Sequence, residues 1–140
     1  MAVTQFSFDV RITIPPHSKI LPKFYEELKT GKLMGTKCKG CGKLWFPPRA
    51  DCKDCWSSDM EWVEVKPEGT IVTYTVTVVA PKYYAQRAPY IMAIGQLDDG
   101  PKVMAWLMGV KPEDAKPGMR VKVVIENFED GVIRYVFRPI

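Results

Sequence analysis

The chain has 140 residues, 46% of them hydrophobic and 26% charged, with a formal net charge of +4. This is the composition of a folded globular chain and it excludes a long disordered one. No apolar run approaches the roughly 18 residues of a membrane-spanning helix, and the opening MAVTQFSFDV has neither the basic start nor the apolar stretch of a secretion signal, so a cytoplasmic location is expected.

Residues 1–37 hold most of the basic excess: Arg11, Lys19, Lys23, Lys29, Lys32 and Lys37 stand against Asp9, Glu26 and Glu27. Within them, SKILPKFYEELKTGK predicts a helix from about Pro22 to Lys29. Proline sits in its first turn, Phe24, Tyr25 and Leu28 form one stripe, and Gly31 is the stop. A helix this short must dock to persist, on its own chain or on a partner. His17 follows Pro15 and Pro16 with no nucleophile or carboxylate in register, and reads as a solvated loop residue.

All the cysteines fall in CKGCGKLWFPPRADCKDC, as Cys38-x2-Cys41 and Cys52-x2-Cys55 separated by ten residues. Each Cys-x-x-Cys turns two sulfurs toward one point, and two such knuckles supply the tetrahedral thiolate set that structural zinc prefers. A rubredoxin-type iron centre uses the same four ligands. Dithiol redox chemistry needs one pair and leaves the other unexplained, and a catalytic zinc would need an open position that four thiolates fill. Gly40 and Gly42 let the first knuckle turn and aim amides at sulfur. Lys37, Lys39, Lys43, Arg49 and Lys53 are placed to screen the charge, since four thiolates around a divalent cation carry a net −2 and lower the protein's balance to about +2. A metal would replace the core that a segment of about 30 residues cannot build. The flanking LMGTK and MEWVEV read as short strands.

From Val63 onward the pattern is β. GTIVTYTVTVV alternates β-branched and aromatic residues. PYIMAIGQLDDG and PKVMAWLMGV form a hairpin around Asp98, Asp99, Gly100 and Pro101, with the acidic pair read as a solvated turn. KPEDAKPGM is a connector with at most one helical turn, and RVKVVIENF and VIRYVFRPI make a second hairpin around Glu129, Asp130 and Gly131. Five strands in this length suggest a small barrel, with the OB fold as first candidate and an SH3-like barrel as the alternative. Trp45, Phe46, Trp56 and Trp62 are expected to pack the cysteine block onto the barrel, and Trp106 to lie in its core. The fold class is thus mainly β: an extension with a short helix (1–32), the cysteine block (33–62) and a five-stranded OB barrel (63–140).

No histidine-based triad, Walker loop or Gly-x-Gly-x-x-Gly follows from these residues, so a binding or interaction protein is expected rather than an enzyme. The cysteine block, GTIVTYTV, APYIMAIGQLDDGPKVMAWLMGV, KPEDAKPGMRVKVV and the terminal VFRP resemble the thiolase-associated family first catalogued as domain of unknown function thirty-five, from about Phe24 to Pro139. The resemblance implies a rubredoxin-like zinc ribbon, with Cys38, Cys41, Cys52 and Cys55 as ligands, followed by an OB fold. It further implies a non-catalytic subunit that binds acyl-CoA or bridges thiolase and HMG-CoA synthase-type enzymes in lipid or isoprenoid metabolism.

CoA would need cations for its phosphates and rings for its base. Lys82, Tyr83, Tyr84, Arg87 and Tyr90 combine both in the long loop after the first barrel strand, and Arg49 is a further candidate as phosphate clamp or interface residue. The alternative for that loop is a cap whose tyrosines cover the core. The rival function is single-stranded RNA binding, since ribbon-plus-OB modules do that too. Charge argues against it: from Val63 on, ten basic residues meet nine acidic ones.

Overall fold

The computed structural model describes residues 19–140, so His17 and the first ten residues lie outside the described part. Helix α1 runs Ile20–Lys29, starting two residues before the expected Pro22. The Thr30 hydroxyl donates to the Glu27 carbonyl at 2.7 Å, and Gly31, at φ +86°, takes the left-handed conformation that ends the helix. Phe24 and Leu28 are buried one turn apart, so the helix docks on its own chain. No helix among the described residues is long and apolar enough to cross a membrane.

Three short antiparallel strands follow, β1 (Met34–Cys38), β2 (Leu44–Trp45) and β3 (Met60–Glu64), with β1 in the centre. The segment between β2 and β3 has no regular structure and is tied down by one buried hydroxyl. Thr36 Oγ1 donates to the Arg49 carbonyl at 2.9 Å and accepts the Arg49 N–H at 2.8 Å. Satisfying both backbone groups of one residue fixes the middle of the loop, between buried Phe46 and buried Cys52.

The remaining strands are β4 (Glu68–Thr77), β5 (Tyr90–Leu97), β6 (Lys102–Leu107), β7 (Arg120–Asn127) and β8 (Ile133–Pro139). They close a barrel in the order β4-β5-β6-β8-β7, with β7 returning to β4 through Glu68–Thr70. All pairs are antiparallel except β6 with β8, which meet in parallel at Leu107 and Phe137. This is the OB barrel, and the SH3-like alternative falls away.

The alternation of β5 sends Ile91, Ala93, Gly95 and Leu97 inward. Gly95 is required there, because a Cβ would lie 2.6 Å from the Phe137 ring, which fills the barrel beneath it. Strand β4 is long enough to need a bend, and a bulge between Ile71 and Thr73 leaves Val72 exposed.

In β6, Val103, Ala105 and Leu107 point inward, so Met104 and Trp106 point outward. Trp106 therefore lies on the outer face, partly covered by other rings, and not in the core as expected; its register against Met92, rather than its size, decides its side.

The acidic turn is solvent-exposed, as expected, and it is also paired. Asp98 accepts two hydrogen bonds from Arg120 at 2.8 Å each, and Asp99 accepts the Lys66 N–H at 2.9 Å. The turn thus staples the β5–β6 hairpin to the start of β7 and to the chain entering β4.

Helix, cysteine block and barrel meet through three rings. Phe24 lies 5.9 Å from Phe46 and 6.1 Å from Tyr135, all in edge-to-face contact. One apolar core runs through all three segments, from Leu28 and Leu33 to Phe137.

Candidate functional site

The two knuckles are built alike. Gly42 N–H donates to the Cys38 carbonyl at 2.8 Å, and Trp56 N–H donates to the Cys52 carbonyl at 2.9 Å. Gly42 has φ +77° and Trp56 φ +61°, so each turn closes on a left-handed residue after its second cysteine. Glycine does this without strain; tryptophan does not.

The four sulfurs lie within 4.8 Å of one another, with Cys38–Cys55 at 3.4 Å and Cys41–Cys52 at 3.6 Å. A tetrahedron with metal–sulfur bonds of about 2.3 Å has edges of about 3.8 Å. The set fits a four-thiolate metal centre and is too wide for a disulfide of about 2.05 Å.

The sulfurs divide by environment. Cys38 and Cys52 are fully buried, while Cys41 and Cys55 reach solvent. The Cys41 amide leads the groups that hold the Cys38 thiol below its usual range. Cys52 is lowered to about 6, first by the Cys55 amide, then by the Asp54 amide, the Cys41 thiol and the Trp45 indole. Cys41 moves up: the Lys43 amide favours its thiolate, but the neighbouring Cys52 and burial outweigh that. Cys55 is pushed up to about 12; the Ser57 amide opposes this, and Cys38 leads the groups that cause it. Four thiolates repel one another without a cation between them, and the preset amides favour the metal-bound state.

Trp45 contributes an observation that spacing did not reveal. Its Nε1 is buried and finds no hydrogen-bond partner, and its N–H is among the groups that lower the Cys52 thiol. An indole N–H aimed at a metal-bound thiolate is the outer-shell contact that orients a ligand. Trp45 thus serves the knuckles, with Lys43 4.8 Å and Arg49 5.2 Å from its ring centre. Trp56 departs from its expected packing role altogether: at 83% exposure it touches no core. Phe46 and Trp62 do pack toward the core.

The loop residues gather elsewhere. Lys82–Arg87 forms a 3-10 turn on the outside of the barrel. Tyr84 meets the Trp106 ring edge-on at 5.5 Å, and Tyr90 stacks on it at 4.8 Å. The Tyr83 hydroxyl donates to Asp130 at 2.9 Å, and Arg87 lies 4.7 Å from the centre of the Phe128 ring. Lys82 is exposed, and Arg49 stands apart on the cysteine block against Trp45. The six residues therefore form two groups, not one. Sequence reasoning missed Trp106, Phe128 and Asp130, which organise the loop from strands and a turn 16 to 47 positions away; the strand alternation at Met104 and Trp106 was the available signal.

Two family models match end to end: the rubredoxin-like zinc ribbon domain of ChsH2 over residues 26–61 and the ChsH2 C-terminal OB-fold domain over residues 62–126. A DUF35 domain-containing scaffold protein of Methanocaldococcus jannaschii is 38% identical over 115 residues, covering 77% of this chain and 82% of the relative. The chain belongs to the DUF35 family.

A second DUF35 scaffold protein, of Pyrococcus furiosus, is 40% identical over 78% of this chain and 84% of its own. The benzoylsuccinyl-CoA thiolase subunit BbsA of Thauera aromatica is 29% identical over 77% of this chain and 76% of its own. Among solved structures, the Ltp2-ChsH2(DUF35) aldolase includes a chain that superposes with a TM-score of 0.74 at 28% identity, over 90% of this chain and 98% of that one. The DUF35 chain described here thus shares both domains with these relatives. The sequence-based resemblance to the family is borne out, as is the ribbon-plus-OB architecture.

Proposed function

We propose that this DUF35 chain is a non-catalytic scaffold subunit that docks on a thiolase-type enzyme and handles an acyl-CoA with it. The observation that carries the reading is the likeness, over 90% of this chain and 98% of the other, to a chain of the Ltp2-ChsH2(DUF35) aldolase. The thiolase-subunit name of BbsA supports the same class of partner. An HMG-CoA synthase-type enzyme as a second client is part of the proposal.

Zinc is the metal proposed for the ribbon, held by Cys38, Cys41, Cys52 and Cys55. Four thiolates leave no open position, so its chemistry there is to cross-link the knuckles. The scaffold role is also supported by the outer face of β5 and β6, where Met92, Ile94 and Met104 leave Lys102 as the one cation of the two strands, fewer than an OB fold that tracks nucleic acid would present.

Capture of the tagged, metal-loaded protein from its native lysate, with and without nuclease, tests the reading. A thiolase or synthase recovered in both halves at near-stoichiometric yield is expected. Recovery of nuclease-sensitive partners alone, or turnover of acetoacetyl-CoA by the purified chain, would overturn it.

A further inference from the structure

Phe128 closes the end of β7 and has two guanidinium groups against its ring, Arg134 at 4.6 Å and Arg87 at 4.7 Å. Arg134 has a counter-ion, donating to both Asp130 oxygens at 3.1 and 2.8 Å. Arg87 has no carboxylate within ion-pair distance among the described residues, although it is half-buried among rings. A cation drawn partly out of water without a counter-ion pays a desolvation cost that an incoming anion relieves.

Beside Arg87 opens a cavity of about 230 Å³ at the mouth of the barrel. Its walls are Ile91 and Leu107 from the barrel's end, Met108 and Val110 from the connector after β6, and the stacked pair of Tyr90 and Trp106. The mouth of a β-barrel, lined by apolar groups with one convergent charge, is a recurrent setting for small-molecule sites. At about 30 Å³ for each water-sized group, the cavity takes roughly seven or eight heavy atoms.

We infer that this slot binds a short apolar chain or ring ending in one carboxylate, with Arg87 taking the carboxylate and the Tyr90–Trp106 pair lying along the chain. The inference deepens the ligand half of the scaffold reading and rests on it only for acyl groups as a source. The same chemistry is offered by a free carboxylic acid and by an acyl thioester with a second carboxylate at its far end.

The test uses the full metal-loaded chain, titrated with octanoate, 1-octanol, octanoyl-CoA and the mono-CoA thioester of octanedioic acid, and followed by NMR at the Trp106 indole N–H and the Ile91 and Val110 methyls. Saturable shifts with octanoate, the diacid thioester or both are expected, the tighter of the two identifying the source, with octanol and octanoyl-CoA at least tenfold weaker. Shortening octanoate should weaken binding about fourfold per methylene. Arg87→Ala should remove the preference for the carboxylate and Arg87→Lys should keep part of it. Met108→Trp, which fills the slot from the opposite wall, should block binding with Arg87 intact and the fold unchanged by circular dichroism.

Equal binding of octanol and octanoate, native affinity in Arg87→Ala, or no saturable shift at Trp106 would overturn the inference. None of these results bears on partner capture, so the slot and the scaffold reading fail separately.

Discussion

The Phe46 ring of the ribbon meets the Tyr135 ring of the barrel edge to face, 5.4 Å apart and at 61°. Phe24 of α1 contacts both, so one aromatic knot joins all three segments. Phe46 is 3% exposed, and truncating a buried phenylalanine costs about 3–5 kcal/mol. Phe46→Ala should lower stability by that amount in urea unfolding and split a single transition into two, ribbon before barrel. A loss below about 1 kcal/mol would mean that the junction is held by other contacts.

Trp45 should tune the metal centre from outside it. Trp45→Phe keeps an aromatic side chain at the position but removes the indole N–H together with the five-membered ring that carries it. Loss of such an outer-shell contact typically costs 10–100-fold in metal affinity. Competition with a chromogenic chelator should show that loss, with one metal ion still bound per chain at saturation. Stripping the metal, or Cys38→Ser, should lower the melting temperature as well; a melting temperature indifferent to chelation would remove the metal from the account of ribbon stability.

What could be read from the sequence divides along physical lines. The knuckles and their four sulfurs were legible because the constraint is local: Cys-x-x-Cys fixes two sulfurs within one turn, and Gly42 marks the residue that closes it. The barrel strands were legible because alternation is also local. Trp56 and Trp106 were not, because the side of an aromatic depends on which backbone it pairs with. Trp56 follows a cysteine whose turn points the next side chain outward, and Trp106 takes its face from register with Met92. The ligand loop was legible as a loop, but its attachment to Asp130 and Phe128 joins residues far apart in the chain.

Acid should release the loop before it unfolds the barrel core. Arg134 leads the groups that hold the Asp130 carboxyl well below the carboxylate range, with the Val132 amide and the Tyr83 hydroxyl adding to it. The folded pKa lies below the unfolded value near 3.8, so the stabilisation is complete above that value and fades as pH falls from about 4 toward the folded pKa. Asp130→Asn should flatten the dependence of melting temperature on pH below 4 and free the Tyr83 ring, read by tyrosine NMR line widths. An unchanged acid limb would assign the effect to other carboxylates, Asp98 with its Arg120 partner first among them.

Trp56 offers the one substitution expected to stabilise. A non-glycine residue in the left-handed region costs about 1–2 kcal/mol, and glycine gives back about 0.5–1 kcal/mol through the freedom of its unfolded chain. The Trp56 side chain is 83% exposed and so forfeits little burial on removal. Trp56→Gly, which copies the geometry already used at Gly42, should therefore gain about 0.5–1 kcal/mol in chemical unfolding with unchanged metal stoichiometry. If stability falls instead, the indole supports the second knuckle through contacts stronger than its exposure implies. If stability rises while recovery of the partner enzyme drops, the strained, exposed ring is kept for binding and not for folding.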